Sequence, residues 1–241
     1  MEFIKVTNYQ DMSDKACAIM IEKINNLKNP VLGLATGSTP EGLYQKIIEQ
    51  YKQGKVSFKD VTTFNLDEYV GLSREDVNSY YRYMQEKLFN HVDINLERVH
   101  LPNGTASDLA EECRMYDKQI EQAGRVDLQI LGMGINGHIG FNEPGTPFNS
   151  RTHVVDLAAS TLEANARFFP SLADVPTQAV TMGIATIMES KEILLLVSGE
   201  QKAEAIARLA EGEISEDFPA SILRNHPNVT VVVDEGAMVK L

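Results

Sequence analysis

The chain is predicted to be α/β: one Rossmann-like domain over 1–241, a mainly parallel sheet with helices on both faces. Three observations carry this. Short apolar runs alternate with amphipathic segments along the whole length, the pattern of strands joined by helical crossovers. Several runs end directly in Gly-, Ser-, Thr- or Asp-rich segments, as strands do when they open onto a loop at a sheet rim. The 241 residues, 43% of them hydrophobic, suffice for one sizeable core.

Taken in order, Val31–Ala35 (VLGLA) is the first core strand, preceded by one helix-like segment. It ends in TGSTP, where Pro40 suits the first helical position and Ser38 or Thr39 the cap. The helix EGLYQKIIEQYKQ follows, with Leu43, Ile47, Ile48 and Tyr51 on one face. Val61–Leu66 (VTTFNL) is a second strand, running into DEYVGL. NSYYRYMQEKLFNHV reads as a helix with Tyr81, Met84 and Leu88 inward, and Val99–Leu101 as a short strand. SDLAEECRMYDKQIEQAG is a helix that Ser107 is expected to cap, with Gly124 closing it. Val126–Leu131 is a strand, STLEANARFF a helix, Val180–Met188 mixed, and Glu192–Ser198 a strand. GEQKAEAIARLAEG is a helix ended by Gly212, and Asn228–Val233 is the last strand.

If the strands are parallel, TGSTP, NLDEY, GMGINGHIGFNEP and SGEQK open on the same rim, each just after a strand. Polar residues that look unrelated along the chain then share one site.

Composition narrows the partners. With 22 basic and 34 acidic side chains, the net charge is −12. A phosphate backbone needs a basic surface, so nucleic acid is not an expected partner. A single small anion can still be held by a few local donors. No apolar run approaches membrane-spanning length, and MEFIKVTNYQ lacks the form of a secretory signal. A cytoplasmic protein with no membrane partner is expected. Cys17 and Cys113 fit no metal or redox spacing and read as reduced packing residues.

Thr36, Gly37, Ser38 and Thr39 stand before a helix start, where backbone N–H groups and hydroxyls can cradle an anion. The same letters also describe an ordinary capped turn. Neither GK[ST] nor GxGxxG is present, so this is not a nucleotide loop. Asp67 and Glu68 are adjacent and point in different directions, so they need not act together. Either one is a loop carboxylate or a general base at the rim.

His138 stands among glycines in GMGINGHIGFNEP. A glycine-rich loop is entropically costly, which favours use over decoration. Imidazole carries protons near neutral pH. Glu143, held extended before Pro144, is expected to bond one ring nitrogen, fix the tautomer and raise the pKa. The other histidines, His91, His100, His153 and His226, read as structural or solvent residues. No HExxH spacing or nearby cysteine suggests a metal. Lys202 sits in a helix's first turn, which the dipole disfavours unless an anion is close. Arg167, from local sequence alone, reads as a solvated helix arginine.

Taken together, LATGSTPEGLY, FNLDEYVGL, GMGINGHIGFNEP, SRT (150–152), ARFF and SGEQKA resemble the glucosamine-6-phosphate deaminase family, in order and across nearly the whole chain. FNLDEYVGL and GHIGFNEP are the specific parts; TGSTP is shared more widely. The resemblance implies an amino-sugar phosphate isomerase/hydrolase of amino-sugar catabolism. Glucosamine 6-phosphate and water would become fructose 6-phosphate and ammonia, with no cofactor and no metal. It implies that Asp67 moves a proton between C2 and C1. His138 would open the pyranose ring, with Glu143 and Asn136 as its partners. Thr36, Gly37, Ser38, Thr39, Arg167 and Lys202 would hold the phosphate.

Two departures stand out. Many family members have Asp where this chain has Asn136. Some relatives are hexamers activated by N-acetylglucosamine 6-phosphate through basic residues after SRT and a longer C-terminal tail. Here SRT precedes His153-Val154-Val155-Asp156 and the sequence ends at Leu241, so a non-allosteric monomer is expected. The rival readings are a 6-phosphogluconolactonase-like hydrolase and a sugar-phosphate-sensing domain of a transcriptional regulator. The first would not be expected to carry NLDEYVGL or FNEP. The second needs a helix-turn-helix for which residues 1–30 leave no room.

Overall fold

The computed structural model describes all residues except 159–161, 164, 165, 167, 168 and 170. The predicted helix STLEANARFF falls largely on these, as does Arg167, which lies outside the described residues.

Seven strands form one wholly parallel sheet. They are β1 (Glu2–Val6), β2 (Val31–Leu34), β3 (Thr62–Asn65), β5 (Val99–His100), β6 (Leu128–Gly132), β9 (Ile193–Val197) and β10 (Val229–Asp234). Their order is β1-β10-β9-β6-β2-β3-β5. The central runs are buried along their whole length, as ILLLV in β9 shows. Strands covered on both faces read as continuous apolar runs for this reason.

The helices are α1 (Tyr9–Asn26), α2 (Glu41–Lys52), α3 (Tyr80–Lys87), α4 (Leu109–Gln122), α5 (Ile184–Met188) and α6 (Ala203–Glu211). α2 buries Leu43, Tyr44 and Ile47. It crosses α1 closely enough that a Cβ on Gly42 would lie 2.3 Å from Ser13 Oγ. α4 packs Tyr116 edge-on against Phe64 of β3, which stacks on His100. α3 buries Met84, with Leu88 buried just beyond its end, while Tyr81 is half-buried. No helix of the described residues is long and apolar enough to cross a membrane.

From β2 the chain proceeds through β3 to β5 in one direction, and from β6 through β9 to β10 in the other. The reversal leaves a crevice between the carboxyl ends of β2 and β6, where ligands bind in folds of this kind.

A smaller antiparallel sheet, β4 (Asp67–Tyr69), β8 (Gln178–Thr181) and β7 (His153–Asp156), adjoins that rim in the order β4-β8-β7. The Leu66 N–H still bonds Leu34 of the large sheet, and the Leu66 carbonyl accepts from Met182 beyond β8. Asp67 is thus the first residue past the junction of the two sheets.

Several local expectations are corrected. β1, β4 and β7 are strands that the sequence pattern did not announce. The mixed stretch 180–188 resolves into the end of β8 and α5. Asp108, not Ser107, caps α4, accepting from the Glu111 N–H at 2.9 Å. Pro40 occupies the N-cap position of α2, and no side-chain cap bond is made there. Neither Ser38 nor Thr39 is therefore spent on capping.

Candidate active site

The segments after β2, β3, β6 and β9 all open at the carboxyl edge, on four neighbouring strands. Thr36 to Thr39 occupy the turn from β2 to α2. Gly37 has φ +86°, a conformation that suits only glycine well, and open space surrounds its Cα. Tyr83 Oη donates to the Gly37 carbonyl at 2.6 Å, and Tyr9 Oη lies 3.0 and 3.1 Å from the Ser38 and Thr39 carbonyls. In a trans peptide the N–H points opposite to the carbonyl. Fixing the carbonyls of Gly37 and Ser38 on the tyrosines therefore turns the Ser38 and Thr39 N–H groups the other way. The turn is a braced donor array.

The loop after β6 lies beside it. A Cβ on Gly132 would be 3.9 Å from Thr39. Gly134 and His138 close a tight turn by the bond from Gly134 N–H to the His138 carbonyl (2.9 Å). The imidazole folds back so closely that a Cβ on Gly134 would lie 2.2 Å from two of its ring atoms. Gly137 packs on Phe218 and accepts from the Ala220 N–H, so the loop is braced by the segment before the last strand.

His138, Asn136 and Glu143 form a chain. Asn136 Oδ1 lies 2.8 Å from His138 Nδ1 and also accepts the His138 backbone N–H at 3.2 Å. Asn136 Nδ2 donates to Glu143 Oε2 at 2.7 Å. Flipping the amide would set a donor against the backbone N–H and deprive the carboxylate of one, so the orientation is fixed by the network. Nδ1 must then carry the proton, leaving Nε2 as the ring's acceptor. Glu143 Oε1 stands 3.6 Å from Nδ1, so the expected direct bond from Glu143 to His138 is replaced by a relay through Asn136. The expected upward pull of Glu143 on the pKa is present but outweighed. Burial lowers the His138 pKa and Lys202 adds to this, while the Glu143 charge opposes both. Burial thus favours the neutral imidazole.

Asp67 is 7% exposed. Its carboxyl is pushed up to about 8, first by burial and then by the neighbouring Glu68 charge. The absence of a side chain at Gly140 opens a space beside it: a Cβ there would lie 3.0 Å from Thr181 Oγ1, 3.5 Å from Asn142 Nδ2 and 3.6 Å from Asp67 Oδ2. Asn142 Nδ2 donates to the Ile139 and Met182 carbonyls, tying the histidine loop to β8.

Lys202 lies in the 3-10 turn just before α6 and donates to the Met133 carbonyl at 2.7 Å, which links the β9 and β6 loops. Burial lowers its pKa. Asp234 of β10 anchors the base of that turn, accepting from Ser198 Oγ and the Gly199 N–H.

The structure thus gathers the 36–39 turn, Asp67, the Asn136–His138–Glu143 chain and Lys202 on one rim. Sequence reasoning had missed Tyr9, Tyr83, Asn142 and Thr181. Tyr9 and Tyr83 gave no signal, because their partners lie 29 to 46 residues away. Asn142 could have been noticed as a polar residue in an apolar setting, since it is fully buried.

The sequence family described as glucosamine-6-phosphate isomerases/6-phosphogluconolactonase matches residues 7–232. The chain is 60% identical over 238 residues to the glucosamine-6-phosphate deaminase of Oceanobacillus iheyensis, spanning 99% of this chain and 95% of that one. It is similar to a solved structure of a monomeric glucosamine-6-phosphate deaminase, 51% identical, with TM-score 0.97 over 100% of both chains. A 6-phosphogluconolactonase from Thermotoga maritima, 22% identical, shares the fold alone, with TM-score 0.76 over 97% of this chain and 99% of that one. The chain belongs to the glucosamine-6-phosphate isomerase/6-phosphogluconolactonase family.

Proposed function

We propose that the enzyme converts glucosamine 6-phosphate and water into fructose 6-phosphate and ammonia. The observation that carries this reading is the pairing of a neutral, oriented imidazole with a separate buried carboxyl on one rim. Ring opening and proton transfer between carbons are two different tasks, and the site holds one base suited to each.

His138 Nε2 takes the proton of the C1 hydroxyl and returns it to the ring oxygen, opening the pyranose. Nδ1 stays bonded to Asn136, whose amide passes the influence of Glu143 to the ring as it gains charge. Asp67 then removes the C2 proton as the C1 oxygen takes one from the C2 ammonium, giving an enolamine, and delivers its own proton to C1. The product is an imine at C2, which water hydrolyses to the ketone and ammonia. Water enters only after isomerisation, so the reaction is a deaminating isomerisation, for which hydrolase is too loose a class.

The N–H groups of the 36–39 turn, the hydroxyls of Thr36, Ser38 and Thr39, and Lys202 would receive the phosphate. Arg167 is proposed to join them from its place in the sequence. The phosphate would offset the cost of burying Lys202 beside a helix start.

The alternative is lactone hydrolysis. A chromatographic and enzymatic assay separates the two: ammonia should form from glucosamine 6-phosphate. Hydrolysis of 6-phosphogluconolactone without ammonia release would overturn the reading. A soluble, monomeric enzyme of amino-sugar breakdown in the cytoplasm is the accompanying proposal, supported by the likeness to a solved deaminase described as monomeric.

A further inference from the structure

Glu68 is the other carboxyl of β4, next to Asp67 in the chain, and plays no part in the mechanism above. It is 3% exposed, yet no cation pairs with it among the described residues. Three backbone N–H groups hold it instead. Oε1 accepts from Tyr69 and Tyr80, both at 2.9 Å, and Oε2 accepts from Tyr81 at 3.0 Å. Tyr80 and Tyr81 are the first two residues of α3, whose third N–H, that of Arg82, is taken by Ser79 Oγ. A carboxylate twelve residues upstream therefore completes the helix cap.

The consequence reaches the site from two sides. Asp67 and Glu68 are consecutive in β4, opposite Thr181 and Val180 of β8, so their side chains leave opposite faces of the strand. Fixing Glu68 on α3 fixes the strand's rotation, and with it the direction of Asp67. The same helix carries Tyr83, which braces the Gly37 carbonyl, and Tyr80, whose hydroxyl meets Tyr69 at 3.3 Å and also interacts with Thr36.

We propose that Glu68 is a positioning residue for the deaminase reaction: through β4 and α3 it aims Asp67 and the phosphate turn. This rests on the functional reading above. Among the described residues, these titratable groups act on the pair. Tyr69 on the same strand, Tyr80 from α3 and Tyr116 from α4 face Asp67. Asp76 acts on Glu68, and Arg74 and Glu75 line a cleft of about 280 Å³ against it. Burial pushes Glu68 up to about 7, against its three N–H donors. Burial raises both carboxyls, and the Glu68 charge raises Asp67 further.

The test compares Glu68→Gln with Ser79→Ala in the full chain. Both weaken the start of α3, but only the first removes a charge beside Asp67. The acidic limb of kcat/KM for glucosamine 6-phosphate should move to lower pH by about one unit in Glu68→Gln and stay in place in Ser79→Ala. KM should rise in Glu68→Gln. A limb unmoved by Glu68→Gln, or moved equally by both variants, overturns the proposal. Infrared titration of the wild-type free enzyme, with carbon-13 aspartate, keeps it testable if Glu68→Gln does not fold. The isotope-shifted carbonyl band of the protonated buried Asp should fade in a step coupled to loss of the unshifted Glu band, as two interacting carboxyls require. Independent titration of the two bands overturns the proposal. This second measurement uses no substrate, so it separates failure of the Glu68 role from failure of the functional reading.

Discussion

Asn136 shows how much one atom changes a proton relay. Its amide offers an acceptor to His138 and a donor to Glu143 at once. An aspartate in the same place offers only acceptors unless it holds a proton. In Asn136→Asp a carboxylate would stand 2.8 Å from the imidazole, and the imidazolium would be favoured. The His138 pKa, lowered by burial in this protein, is expected to rise by on the order of one unit. An NMR titration of the His138 ring protons checks this, and an unchanged or lower pKa would contradict the relay. The identity of the relay residues was legible in the sequence, because glycines leave His138 and Glu143 conspicuous. The sign of the His138 shift was not. It depends on how much solvent the folded loop removes and on Lys202, 64 residues further along.

At the scale of elements, loops are held by contacts that strand and helix patterns do not encode. The central strands were plain because they are buried on both faces and read as unbroken apolar runs. β4 was hidden because its three residues, Asp67, Glu68 and Tyr69, are two acids and an aromatic, buried by the small sheet and α3. β1 and β7 are short, partly exposed strands whose pairing is set by distant partners. The histidine loop gives a direct test. Gly134→Ala would place a methyl about where the His138 ring lies, at 2.2 Å. The expected outcome is a loss of turnover of about a hundredfold from a misplaced base, with little change in the circular dichroism spectrum. Normal kcat in this variant would show that the ring position does not matter.

Over the whole molecule, function follows from strand order. The 36–39 turn, Asp67, the imidazole loop and Lys202 follow β2, β3, β6 and β9, which are neighbours in the sheet though far apart in the chain. An overall charge of −12 is no obstacle to a phosphorylated substrate when oriented N–H groups and one lysine supply local donors. Regulation is argued at the same scale. Arg151 of the SRT segment is committed to carboxylates, lying 2.6 Å from Glu189, 3.4 Å from Glu121 and 3.6 Å from Asp117. These pairs already balance its charge, which disfavours an added anionic activator. Substrate saturation is therefore expected to be hyperbolic and unchanged by N-acetylglucosamine 6-phosphate. Sigmoidal kinetics relieved by that compound would contradict this. The central claim, that Asp67 moves the proton between C2 and C1, is tested most directly by comparing the wild type with Asp67→Asn on glucosamine 6-phosphate. The wild type should release ammonia and fructose 6-phosphate in equal amounts. In Asp67→Asn, kcat should fall by about 10²–10⁴-fold while KM changes little; turnover within a few-fold of the wild type would contradict the claim.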